Sequence, residues 1–133
     1  MSKFMKEFRN DIYLRRLWVA TSWEEVKDKF VCHKNNEPIE KYEDGDAYTY
    51  DCVRHRESKQ CGTLMLFIME ENLPSSYIVD IIFHESIHAV NLMCDEIGVR
   101  FDLSNDYHSV YMVHWVSICC WLVLQKEIHK DNK

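Results

Sequence analysis

The chain of 133 residues contains no run of lysine and arginine, no C-x-x-C pair and no internal repeat, and its longest apolar stretch is broken by polar side chains. Each absence removes a class of function. With a formal net charge of -6 and no clustered cations, a nucleic-acid surface is not expected. Lys3, Lys6 and Arg9 stand among Phe4, Met5 and Phe8, but no apolar run follows, which argues against a secretory signal. The longest apolar stretch, 111–124, is about six residues short of a bilayer span and carries His114 and Ser117. It reads as a buried helix, and no membrane partner is expected. The six cysteines are expected to be reduced, mostly buried thiols of a cytoplasmic protein.

What is present is a 47% apolar chain, enough for one compact domain over residues 1–133. Residues 1–10 and the polar tail 126–133 read as loose ends. Ile12, Leu14, Leu17, Trp18 and Val19 suit a strand that starts near Tyr13. Thr21 or Ser22 then caps a short helix over 23–30, with Glu24 and Glu25 in its first turn and Trp23, Val26 and Phe30 on one side. Residues 33–46, with Asn35, Asn36, Pro38 and Gly45, have the composition of a loop.

The segment 47–56 alternates, placing Tyr48, Tyr50, Cys52 and Arg54 on one face, and 62–69 reads as a mostly buried strand. An antiparallel hairpin is expected from the two. After Pro74, with Ser75 or Ser76 as cap, a long helix runs to about Ile97 and ends at Gly98. It is apolar on most sides and should lie inside the domain. A linker over 99–104 leads to a last helix, capped by Ser104, Asn105 or Asp106 and reaching about Ile128. The pattern predicts an α+β fold, a small and mostly antiparallel sheet packed on two long helices.

Chemistry concentrates at His84-Glu85-Ser86-Ile87-His88. On a helix, residues four apart share a face, so two imidazoles can hold one metal ion between them. Glu85, one step round, can reach a water on that metal without being a ligand, the H-E-x-x-H arrangement of zinc hydrolases. Two imidazoles and a carboxylate inside an apolar helix would be costly without partners, and a Zn2+ ion removes that cost.

Catalytic zinc keeps three protein ligands and one open position. The third should come from beyond the motif, where His108 in the last helix is favoured by donor type and position, with Asp106, His114, Asp102 in the linker, or water and no third protein ligand as alternatives. Asn91 and Asp95 continue the histidine face and could orient a ligand. Tyr107 and Tyr111 could donate to a developing oxyanion, though packing is the commoner role of such residues. His33, His55 and His129 read as solvated.

Three further pieces accompany the motif: Leu17-Trp18-Val19-Ala20, the alanine Ala89 that extends it, and Asn105-Asp106-Tyr107-His108-Ser109-Val110-Tyr111 followed by Trp115. In these the chain resembles small zincin-like metallopeptidases of phages and their bacterial hosts. The resemblance implies a minimal zincin-like fold and a zinc-dependent peptidase in which Glu85 is the catalytic base. The implied metal ligands are His84, His88 and one more; the implied partner is a peptide or protein substrate, and the implied setting is host cytoplasm or a phage particle. It further implies an extended substrate paired with the strand over 62–69. One departure is plain: aligned on Tyr111 and Trp115, the family's ligand glutamate falls on Tyr107. A zincin-fold protein of weak or no activity, serving as a zinc-stabilised structural or interaction module, is therefore the alternative. A zinc hydrolase acting on a non-peptide amide is a third.

Overall fold

The computed structural model describes residues 3–42, 45–69, 73–98, 104 and 106–128, the last three by backbone alone. Five strands and two helices follow in the order β1 (Met5–Asn10), β2 (Arg15–Ala20), β3 (Phe30–Cys32), β4 (Ala47–His55), β5 (Cys61–Phe67), α1 (Ser75–Ile97) and α2 (Tyr107–Ile128). The sheet order is β1-β2-β5-β4-β3. Three of its four pairings are antiparallel, while β2 and β5 run parallel. The fold is α+β, with a mixed sheet rather than a purely antiparallel one.

Both faces of the central strands are covered. Leu17, Val19, Met65 and Phe67 point to the helices; Trp18, Ala20, Leu64 and Leu66 point the other way, into a second cluster with Val26, Phe30, Ile39, Tyr50 and Val53. This explains why residues 17–20 and 64–67 read as unbroken apolar runs instead of alternating. Gly62 sits where β5 meets β2. A Cβ there would lie 2.6 Å from the Arg16 carbonyl oxygen and 2.8 Å from the Trp18 ring.

Several local expectations are revised. The loose start over 1–10 is in fact largely strand β1, held by its ladder with β2. The helix expected over 23–30 reduces to a 3-10 turn, Trp23–Glu25. Phe30 at its far end joins β3 and pairs with His55, because pairing and burial of the ring outweigh helical spacing. His55 is accordingly half-buried rather than fully solvated: its ring packs against Trp18 and Phe30. The alternation expected along β4 fails at a bulge between Tyr50 and Val53, where Cys52 has φ 43°. One extra residue brings Tyr50 and Val53 to the same face, which regular pleating forbids.

The helices keep their expected bounds. Along α1, Ile78, Ile82, Ser86, Ala89, Val90 and Met93 form the buried stripe, at spacings of three and four. Gly98 ends the helix at φ 77°, its N–H directed to the carbonyls of Asp95 and Cys94. At the other end Pro74, not a serine, is the N-cap, without a side-chain hydrogen bond. The expectation that α1 lies wholly inside is corrected, since Phe83, His84, Ile87 and His88 are all exposed. Of the six free cysteines, Cys94, Cys119 and Cys120 are buried and Cys61 is exposed. Asp102, Asn105, His129 and most of the tail fall outside the described residues.

Candidate metal centre

Helix α1 lies over β4 and is tied to it by polar contacts that advance in step along both elements. The Tyr77 hydroxyl donates to Asp46 Oδ2 at 2.7 Å, and Thr49 Oγ1 donates to Glu85 Oε2 at 2.8 Å. Thr49 faces the helices because β4 alternates before its bulge: Ala47 and Thr49 point to α1, while Tyr48 and Tyr50 point to the opposite core.

On the exposed side of α1, the Nε2 atoms of His84 and His88 lie 3.1 Å apart, with the rings 4.7 Å between centroids and 74° between planes. Metal–nitrogen bonds of 2.0–2.1 Å at a tetrahedral angle put two ligating nitrogens about 3.3 Å apart. The pair is therefore within a few tenths of an ångström of chelating geometry. The same distance also suits a hydrogen bond between neutral imidazoles, one donating and one accepting. Glu85 is half-buried beside the pair, with one carboxylate oxygen held by Thr49. Because the histidines are exposed, burial cost is not what a metal would relieve here. The donor spacing is the feature that fits one.

A groove of about 590 Å³ opens between α1 and the first half of β4, lined by Tyr42, Ala47, Tyr48, Thr49, Glu85, His88, Asn91 and Leu92. A second, of about 480 Å³, shares Tyr42, Thr49 and Leu92 and continues past Asp51 toward Lys34 and Glu37. Partial desolvation raises the pKa of the exposed Asp51, and the nearby acids Glu96 and Asp95 add to the shift.

Among the described residues, no strand pairs with the edge of β4 beside this groove. Asp46 O accepts from Ile68 N at 2.9 Å, which fixes the ladder phase: Tyr48 and Tyr50 bond to β5, while Ala47, Thr49 and Asp51 turn their main-chain groups the other way. On that side β3 pairs only with Val53–His55, and His33 N reaches Cys52 O. The strand over 62–69, by contrast, is β5, bonded to β2 on one side and β4 on the other. It has no edge to offer, so the substrate-pairing role expected of it is corrected.

His108 is not brought to the histidine pair. It is exposed at the start of α2, its Nδ1 hydrogen-bonded to the Tyr13 hydroxyl in the β1–β2 turn, with the Tyr13 and Tyr107 rings against it. Since β5 separates β2 from β4, strand spacing alone puts that turn on the order of 10 Å from the groove. Tyr111 is on the same distant side, its hydroxyl accepting from Asn10 Nδ2 at 3.3 Å. Asp106 starts α2 through its carbonyl, which accepts from Val110 N and Ser109 Oγ. His114 lies exposed on α2. Among the described residues no group of three or more His, Cys, Asp or Glu is placed to hold one metal ion.

No family model, curated protein or solved structure matches the chain. The reading of the site thus rests on its own geometry. Asn91, expected near the histidine face, lines the groove. Thr49, Tyr42 and Tyr48 were not anticipated, and no sequence signal marks them: a threonine in a strand and a tyrosine in a loop announce no partner 36 or more residues away.

Proposed function

We propose that the chain is a zincin-like, zinc-dependent peptidase whose site is the α1–β4 groove. The observation that carries this reading is the 3.1 Å approach of the His84 and His88 nitrogens beside a threonine-held Glu85. His84 and His88 would hold the Zn2+, which supplies a Lewis acid for the scissile carbonyl and a water of lowered pKa. Glu85 Oε2 is anchored by Thr49, leaving Oε1 to take the proton of the attacking water and pass it to the leaving amine. The open edge over Ala47, Thr49 and Asp51 supports an extended peptide added as a strand, with main-chain bonds giving affinity and the pockets beside Tyr42 and Leu92 reading side chains.

The test combines metal analysis with cleavage of an unstructured protein. One zinc per chain is expected, with Glu85→Gln keeping the metal and losing about 10²–10⁴-fold in rate. A purified protein that binds no zinc sinks the proposal.

A second reading has one observation in its favour. His108, the third ligand expected from sequence, is engaged with Tyr13 on the far side of α1. A zincin-fold module that binds metal weakly and acts through its surface is consistent with that placement. Retention of its biological role in Glu85→Gln would select this reading.

A further inference from the structure

The outer face of the helical layer carries an apolar surface that the peptidase reading does not use. Over residues 107–125, α2 contains no Asp, Glu, Lys or Arg. Its inner side is core, with Met112, Val116, Cys119, Cys120 and Leu124 buried. Successive positions Tyr107, Val110, His114, Ile118, Trp121 and Leu122 fall within one arc of the helix, and all are exposed. From α1, Phe83 (54% exposed) and Ile87 (52%) join them across the helix–helix seam. Two clefts lie along that seam, about 330 Å³ beside Ile87, Val110 and Val113, and about 200 Å³ beside Phe83, Ile118 and Trp121.

We propose that this face is the interface of a two-fold homodimer, helical layer against helical layer. Phe83, Ile87, Val110, Ile118, Trp121 and Leu122 together expose roughly 600 Å², at the upper end of the largest patches on monomers. With the half-buried Val79, Val113 and Ser117 at the margins, the face approaches the roughly 800 Å² per partner of a standard stable interface. It holds protruding apolar side chains and the clefts to receive them, the self-complementarity that an isologous contact requires. A lipid surface fits less well. The helix has the composition of a span over Tyr107–Gln125, but leaving the sheet would expose its buried core stripe. The exposed charges of α1, Asp80, Asp95 and Glu96, are acidic, which disfavours anionic headgroups. The sheet's far face is already covered by its own cluster, so the helical layer is the side where another copy adds burial.

Sedimentation of the full chain from micromolar to roughly hundred-micromolar concentration tests this. The expected result is a species of twice the 16.0 kDa chain mass. Phe83→Glu on α1 and Ile118→Glu on α2 should each weaken association by about 100-fold or more, since each buries an unpaired carboxylate at the contact. Both sites are exposed in the single chain, so circular dichroism should hold and the thermal midpoint should equal that of the wild type diluted to its monomer; Val110→Asp on the same stripe substitutes for a variant that fails to fold. A wild type monomeric throughout the range overturns the proposal, as does a dimer indifferent to the substitutions. So does a monomer that floats with phosphatidylcholine–phosphatidylglycerol vesicles.

Discussion

Thr49 Oγ1 donates to Glu85 Oε2 at 2.8 Å, so the acid of the motif is oriented by a strand residue 36 positions earlier in the chain. The bond joins sheet to helix and fixes which carboxylate oxygen faces the groove. Thr49→Val keeps the shape and removes the donor. The expected outcome is a turnover lower by roughly tenfold with zinc content unchanged, and a stability loss of about 1 kcal/mol. Paired kinetics and metal analysis check it, and loss of zinc together with activity would refute the orienting role.

The placement of His108 separates two ligand sets. Because its Nδ1 is bonded to Tyr13 and β5 lies between that turn and β4, His108→Ala should leave zinc binding within about twofold, while His88→Ala should lower affinity by at least about 100-fold. Competitive titration with a chromophoric chelator measures both. Equal losses in the two variants would mean that His108 reaches the metal.

Gly62 is required by space rather than by backbone angle. Its missing Cβ would meet the Arg16 carbonyl oxygen at 2.6 Å, and backbone cannot swing aside as a side-chain tip can. Gly62→Ala should cost about 2–3 kcal/mol by forcing β2 and β5 apart around Trp18. Urea unfolding monitored by tryptophan fluorescence reads the change; an unchanged midpoint would show that the sheet relaxes freely here.

Asp51 links stability to pH. Partial desolvation, with the acids Glu96 and Asp95 nearby, holds the folded pKa of this exposed side chain above the ordinary 3.8. A raised pKa means the folded state favours the proton. This contribution is fully present below the unfolded pKa and is lost as pH rises through the folded value. Asp51→Asn should therefore match the wild type near about pH 3 and be the more stable protein near about pH 7. Denaturant midpoints at the two pH values check the sign, and a less stable variant at neutral pH would reverse it.

The helices and the motif were legible in the sequence because they depend on local signals. Pro74 and Gly98 bracket α1, and the spacing of His84 and His88 is a property of any helix. The strands of the hairpin were legible too, up to the bulge. What could not be read was set by distant partners. Phe30 fits a helix by spacing, yet pairing with His55 makes it a strand residue. His108 looked like a ligand by residue type, but Tyr13, 95 positions away, holds it elsewhere. The exposure of the histidines was missed for the same reason. An apolar helix read in isolation looks buried, whereas α1 turns only one stripe to the core and leaves Phe83 and Ile87 outside.

The brevity of β3 sets a length scale. Its three residues cover β4 only from Val53 onward, so the uncovered backbone over 47–51 offers five positions, about 17 Å of extended chain. On the proposed reading, a peptide paired along that edge would meet a built-in stop, and four or five residues would fill the opening. Extending β3 by two residues would shorten the ruler before it disturbed either histidine. Strand length, more than pocket shape, is then the quantity that would set how large a peptide the groove accepts.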